Sequence, residues 1–249
     1  MIEQASDTLT TITVRADIPV ELLDTADLPD GGRLRLMRRG DDYSIRFRDT
    51  ELMGNQVRGS EEALATLACQ RLTDGQDRIL IGGLGMGFTL GAALRALPAT
   101  ASVTVSELIP RIVKWAKGPL EHLFHDYLTD ARVSLVMADV HDVIMRETTG
   151  YDAILLDVDN GPDGLIHIAN ERLYCNWGLR AAHAALRPQG ILAIWSAYGD
   201  ADFVTRLETA GFDVDEVTVP VVIDGEDATH IIWFATRRID AELRLSILQ

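Results

Sequence analysis

Residues 79–87 read Ile79-Leu80-Ile81-Gly82-Gly83-Leu84-Gly85-Met86-Gly87, and this stretch decides the fold. Consecutive large apolar residues form a short strand buried on both faces. The glycines that follow let the backbone turn through positive φ and approach a ligand closely. Apolar residues at helical spacing resume from Thr89, so the loop runs into a helix N-terminus with free amides. The dinucleotide pattern GxGxxG/A fails here. After Gly83 and Gly85 its third place holds Phe88, and after Gly85 and Gly87 it holds Leu90. A GxGxG spacing at Gly83, Gly85 and Gly87 remains. The alternative reading is a tight strand–helix turn that binds nothing.

Strands alternate with helices on the C-terminal side of this loop. Arg78–Ile81, Ser102–Ser106, Val133–Met137, Ala153–Asp157 and Ile191–Ser196 read as strands. Thr89–Leu97, Ile109–Lys117, Val140–Glu147 and Glu171–Leu186 read as helices. Asp213–Ile223 and His230–Ala235, joined by Asp224-Gly225-Glu226-Asp227, form a hairpin. On the N-terminal side, Arg33–Met37 and Tyr43–Phe47 alternate about a turn at Arg39–Asp42, with Thr10–Val14 as a candidate further strand. Ser60-Glu61-Glu62 then opens a helix. The expected fold is α/β, a parallel sheet with helices on both faces and a C-terminal antiparallel hairpin, plus a small N-terminal β-hairpin domain. The expected division is 1–59 for the β-domain and 60–249 for a nucleotide-binding, Rossmann-like domain.

Ligands of such sheets sit beyond the carboxyl ends of the strands, and there this sequence places acids. Glu107 ends the second strand, where a carboxylate can accept from ribose hydroxyls or cap the helix before Pro110. Asp139, followed by Val140, ends the third; it can accept from an adenine amino group or N-cap the helix opening at Val140. The fourth strand ends in Asp157-Val158-Asp159-Asn160-Gly161-Pro162. That run is either a polar turn or a pair of carboxylates that binds and deprotonates an amine.

Composition narrows the partners. The chain has 249 residues, 47% of them hydrophobic, with a formal net charge of −15, a field that repels nucleic acid and anionic membrane but suits a cationic ligand. No run reaches the ~18 apolar residues of a membrane span, and Met1–Thr10 has no apolar core of signal length. The two cysteines, Cys69 and Cys175, fall in helical patterns and make no disulfide framework, so a cytoplasmic setting is expected. Glu121, His122, His125 and Asp126 read as a solvated face with no partner cluster for a metal. Trp177, Trp195 and Trp233 read as core.

Taken together, Gly-Gly-Leu-Gly-Met-Gly at 82–87, Val-Ser-Glu at 105–107, Ala-Asp at 138–139 and Tyr-Asp-Ala-Ile-Leu-Leu-Asp at 151–157 resemble the spermidine synthase family. So do Glu-Leu-Met-Gly at 51–54 and Gly-Ser-Glu-Glu-Ala-Leu at 59–64. This is the aminopropyltransferase branch of the class I S-adenosylmethionine-dependent methyltransferase fold. The resemblance implies a nucleotide site at Gly82, Gly83, Gly85, Gly87, Glu107, Asp139 and Val140, with Asp157 and Asp159 handling the acceptor. Tyr198 is a candidate for the same pocket, and Gly161–Asn170 for a lid. The implied cofactor is S-adenosylmethionine or its decarboxylated form. The implied partners are a small-molecule acceptor, an amine among the candidates, and further copies of the chain.

Three departures bear on activity. The family's glycine-loop acid is here Gly85, its second strand-end acid is Asn160, and its Tyr-x-Glu is Ser60-Glu61-Glu62. Loss of groups that pair with ammonium favours methyl transfer from S-adenosylmethionine as the expectation. Aminopropyl transfer from the decarboxylated donor and a non-catalytic S-adenosyl-binding role are the alternatives.

Overall fold

The computed structural model describes residues 18–29, 31–73, 75–158, 161–162, 170–223 and 225–239. Its larger sheet contains β5 (Arg78–Gly82), β6 (Ser102–Glu107), β7 (Val133–Met137), β8 (Tyr151–Leu156), β9 (Leu186–Ser196), β10 (Phe212–Ile223) and β11 (Glu226–Arg237). They lie in the order β10-β11-β9-β8-β5-β6-β7. The strands from β9 to β7 pair in parallel, and β11 is antiparallel to both β9 and β10. The fold is therefore α/β, as the sequence indicates. The chain leaves β5 towards β6 and β7, then returns to its other side at β8. That reversal opens a crevice beyond the carboxyl ends of β5 and β8.

Strand periodicity decides which helices cover which face. Ile79, Ile81, Val103, Val105, Ala153 and Leu155 point into one core, with α1 (Gly59–Gln70), α2 (Phe88–Ala96) and α3 (Pro110–Ala116). Leu80, Ile154, Leu156, Leu192 and Ile194 point into the other, with α5 (Val140–Met145), α7 (Asn176–Ala185) and α8 (Ala201–Thr209). Two short helices, α4 (Glu121–Phe124) and α6 (Glu171–Tyr174), complete the set.

The N-terminal hairpin belongs to a four-stranded antiparallel sheet of β1 (Glu21–Asp27), β2 (Arg33–Arg39), β3 (Asp42–Phe47) and β4 (Thr50–Gly54). Thr10–Val14 lies outside the described residues. Leu34, Leu36 and Ile45 of this sheet join the first core. The Trp115 indole N–H donates to Asp24 Oδ2 at 2.8 Å, which ties β1 to α3. These contacts hold the small sheet over the carboxyl ends of the large one.

Several local expectations need correction. Glu171–Leu186 is not one helix: Cys175 is extended between α6 and α7, with φ −75° and ψ 163°, so it does not sit inside a helix. A β-carbon on Gly178 would stand 1.9 Å from the Arg172 carbonyl, so α7 turns against the end of α6 where only glycine fits. Leu186 starts β9, and β11 begins at Glu226 rather than His230. The helix at Ala201–Thr209, N-capped by Asp200, is an addition. Trp195 and Trp233 are core, but Trp177 is 55% exposed and stacks on His141. Glu121, His122, His125 and Asp126 are exposed. Among the described residues, no cluster of three or more potential ligands could hold a metal ion, and no helix is long and apolar enough to cross a membrane.

The end of the sheet opposite the crevice carries a buried acid paired with a part-exposed arginine. Asp152 is fully buried; it accepts from Arg187 at 2.9 and 3.0 Å and from the amides of Asp77 and Arg78 at 3.2 and 3.0 Å. It thereby joins the starts of β5, β8 and β9. Asp152→Ala strands three donors and is expected to lower unfolding free energy by about 2–4 kcal/mol, read as an earlier denaturant midpoint with an unchanged slope.

Candidate functional site

The crevice is an open cleft at the carboxyl ends of the strands, with about 890 Å³ of non-atom space counting the solvent at its mouth. Its floor is Gly83, Gly85, Ser106, Glu107, Ala138, Asp139, Val140, Asp157 and Val158, at the ends of four adjacent strands. Leu28, Leu34, Ile45, Leu52 and Met53 of the small sheet and its loops supply an apolar roof. Glu107, Asp139 and Asp157 are thus gathered at one cavity.

The two glycines of the floor are there for different reasons. Gly83 has φ +89°, and a β-carbon on it would stand 2.5 Å from the Asp157 carbonyl oxygen. The ends of β5 and β8 can lie that close only because residue 83 has no side chain. Gly85 has φ +50° and faces the roof, its absent β-carbon 3.1 Å from Met53 Sδ. Gly82 and Gly87 lie outside the lining. Gly82 packs against Val140 and Leu156, and Gly87 starts α2 beneath Phe124.

Glu107 serves the loop and the cleft together. One carboxylate oxygen accepts from the Leu84 amide at 3.0 Å and the other from the Ile109 amide at 2.7 Å. Burial pushes its pKa above the ordinary carboxylate range, opposed by those backbone donors. The carboxylate braces the glycine loop and retains lone pairs for a ligand hydroxyl.

Asp139 caps α5 by accepting from the His141 amide at 2.8 Å. Its other oxygen pairs with the Arg172 guanidinium of α6. The helix-cap reading is realised and the residue still lines the cleft, so the two sequence readings do not exclude each other. Val140 beside it is buried and forms part of the same floor.

Asp157 closes the floor. Its Oδ2 accepts from the Thr89 hydroxyl at 2.5 Å, Thr89 being a buried residue in the first turn of α2. Burial pushes the Asp157 carboxyl up to about 6, with the Thr89 bond acting the other way. Asp159 and Asn160 lie outside the described residues, as does 163–169 of the expected lid; Asn170 is part of the lining. Tyr198 is 66% exposed and outside the lining. Sequence reasoning missed the roof residues, Thr89 and Arg172. Their signals are ordinary apolar alternation, a helix-start hydroxyl and a lone arginine, none of which carries a spatial address.

No protein-family model matches the chain. Its fold is that of spermidine synthases. A spermidine synthase crystallised with the transition-state analogue AdoDATO superposes with a TM-score of 0.71 at 16% identity, covering 88% of this chain and 74% of that one. The spermidine synthase of Thermotoga maritima gives 0.68 at 15% identity with the same coverage. In sequence, the chain is similar to a polyamine aminopropyltransferase of Sulfolobus acidocaldarius, 28% identical over 148 residues. That match takes in 59% of this chain, which spans less than half, 44%, of the relative's length. The likeness first drawn from motifs is therefore present in both sequence and fold.

The raised pKa of Asp157 has a consequence for stability. A carboxyl whose folded pKa is raised favours folding below its unfolded pKa, and that contribution is lost as pH rises through the folded value. Relative to wild type, Asp157→Asn is expected to gain stability between about pH 4 and pH 7, by on the order of 1–2 kcal/mol. Denaturant titrations at each pH measure it; a gap that does not open with pH places the charge of Asp157 in an unstrained environment.

Proposed function

We propose that this chain transfers an alkyl group from the sulfonium of an S-adenosyl nucleotide to a small amine, with aminopropyl transfer preferred to methyl transfer. The observation that carries the reading is the convergence of Glu107, Asp139 and Asp157 on one cleft roofed by hydrocarbon. The sequence and fold likenesses to aminopropyltransferases favour the same choice.

The lining fits such a nucleotide. Gly83 and Gly85 leave backbone accessible, Glu107 has acceptor capacity for ribose hydroxyls, and Asp139 stands beside Val140 where an adenine edge would lie. Among the described residues, the lining contains three carboxylates and no Lys or Arg. Such a wall suits cations and offers a donor α-carboxylate no cationic side chain, which speaks for the decarboxylated donor over S-adenosylmethionine. The feature that favours methyl transfer is Gly85, which offers no acid to a donor amine.

A bound S-adenosyl donor supplies an electrophilic carbon next to a positively charged sulfur. The protein's own part is to bind, dry and orient. The roof of Leu28, Leu34, Ile45, Leu52 and Met53 excludes water and strengthens every charge interaction beneath it. Glu107 and the glycine loop fix the nucleoside. Asp157, held by Thr89, orients an acceptor amine and takes its proton, for which a pKa raised towards neutrality is suited. We further propose that 1–59 forms a β-domain serving as the roof and 60–249 the nucleotide-binding domain, that the chain works as a homo-oligomer, and that it is cytoplasmic.

Calorimetry with S-adenosylmethionine, decarboxylated S-adenosylmethionine and methylthioadenosine tests the reading. Tighter binding of the decarboxylated donor is expected. Preference for S-adenosylmethionine would restore methyl transfer, and no binding of any would remove the enzyme reading. Asp157→Asn is expected to lower kcat at least 100-fold while nucleotide affinity stays within about threefold.

A further inference from the structure

A second acid, in the Ser60-Glu61-Glu62 segment, lies within electrostatic reach of Asp157. Glu61 sits in the first turn of α1, 96 positions earlier in the chain, half-buried against the end of β8. Thr89 joins the two elements: its hydroxyl donates to Asp157 Oδ2 at 2.5 Å and lies 3.4 Å from the Glu61 main-chain carbonyl. The Glu61 side chain is held from the other direction. Ser60 Oγ lies 3.0 Å from Glu61 Oε2 and 2.8 Å from Nδ1 of His230 on β11. Ser60 is fully buried, and the Trp195 ring packs edge-on against His230 at 4.7 Å. His230 Nδ1–H donating to Ser60, and Ser60 O–H donating to Glu61, satisfies all three groups.

We propose that Glu61 is the proton-sharing partner of Asp157: near neutral pH the two carboxyl groups carry one proton between them, with the Ser60–His230 pair setting the position of Glu61. Two carboxylates in one poorly hydrated recess cannot both ionise cheaply. Burial is the larger cause that pushes Glu61 up, to about 8, and the charge of Asp157 is the second. The other charged or titratable groups at Glu61 do not neutralise it. Glu62 adds a weaker repulsion and is itself paired with Arg95 at 3.3 Å, while burial lowers the pKa of His230 and keeps its imidazole neutral.

The consequence deepens the amine reading and rests on it only for the substrate. The subsite presents one negative charge, matched to one ammonium group. In the transfer, an N–H bond of the ammonium breaks and its proton goes to the ionised Asp157. The freed lone pair forms the N–C bond while the C–S bond breaks, leaving its electron pair on a neutral thioether. The pair then holds two protons and releases one to solvent. Glu61 acts through Asp157 and is a positioning residue.

Carboxyl 13C NMR titration of the ligand-free protein tests the sharing without reference to activity. In wild type, Glu61 is expected to titrate well above the ordinary carboxylate range, and in Asp157→Asn to move down by about a unit or more. Ser60→Ala, which removes a bond to the ionised form, is expected to move it up. An ordinary Glu61 titration, or one indifferent to Asp157→Asn, overturns the proposal. In turnover, Glu61→Gln is expected to erase an inflection of kcat between about pH 7 and 9 while leaving methylthioadenosine affinity within twofold. An inflection that survives that substitution also overturns it. Coupled titrations in a protein that transfers nothing from any donor would uphold the acid pair and defeat the amine-transfer reading.

Discussion

The separation between residue 83 and the Asp157 carbonyl controls the rest of the site. At 2.5 Å from where a β-carbon would stand, the backbone leaving β5 and the backbone leaving β8 are in contact. No residue but glycine permits it. That approach brings the glycine loop and a strand-end acid to one point of the sheet. It occurs where the chain order reverses, so the helices that follow the two strands diverge and leave a crevice. Glu107 then locks the loop by accepting from the Leu84 amide, and the same carboxylate fixes the start of α3 through Ile109.

Charge in the cleft is arranged by partnership rather than by number. Three acids share the floor, yet each is held differently: Glu107 by backbone amides, Asp139 by a helix terminus and Arg172, Asp157 by the Thr89 hydroxyl. An arginine neutralises one, amides compensate the second in place, and the third keeps a raised proton affinity in the dry recess. Burial raises the proton affinity of Glu107 as well, but that carboxylate is tied to two backbone amides whereas Asp157 is held by one hydroxyl. The roof matters for this, because apolar side chains from the small sheet keep the recess poorly hydrated and Coulomb interactions within it strong.

Expectations from sequence held where periodicity or a local rule was at work. The glycine loop, the acids of Glu107, Asp139 and Asp157 at strand ends, and the closing hairpin all follow from patterns a few residues long. Errors came where distant backbone intervened. The helix expected across Glu171–Leu186 is interrupted at Cys175 because Gly178 lies against the Arg172 carbonyl, a contact that apolar spacing does not encode. Trp177 reads as core from its place in a helical pattern but stands exposed against His141. The expectation of methyl transfer rested on three lost amine partners, while the sequence and fold likenesses lean to its stated alternative, aminopropyl transfer. Among its described residues the assembled lining has three acids and no Lys or Arg.

By itself the sequence determined the class of fold and which acids stand at the strand ends, because alternation, helical spacing and glycine placement are local consequences of backbone geometry. Only the tertiary structure decided what stands opposite those acids. Met53 reaches Gly85 from another sheet, Arg172 reaches Asp139 from another helix, and Thr89 reaches Asp157 across a gap of many residues. Proton affinity depends on such neighbours and on exclusion of water, and both arise only when separate stretches of chain pack together.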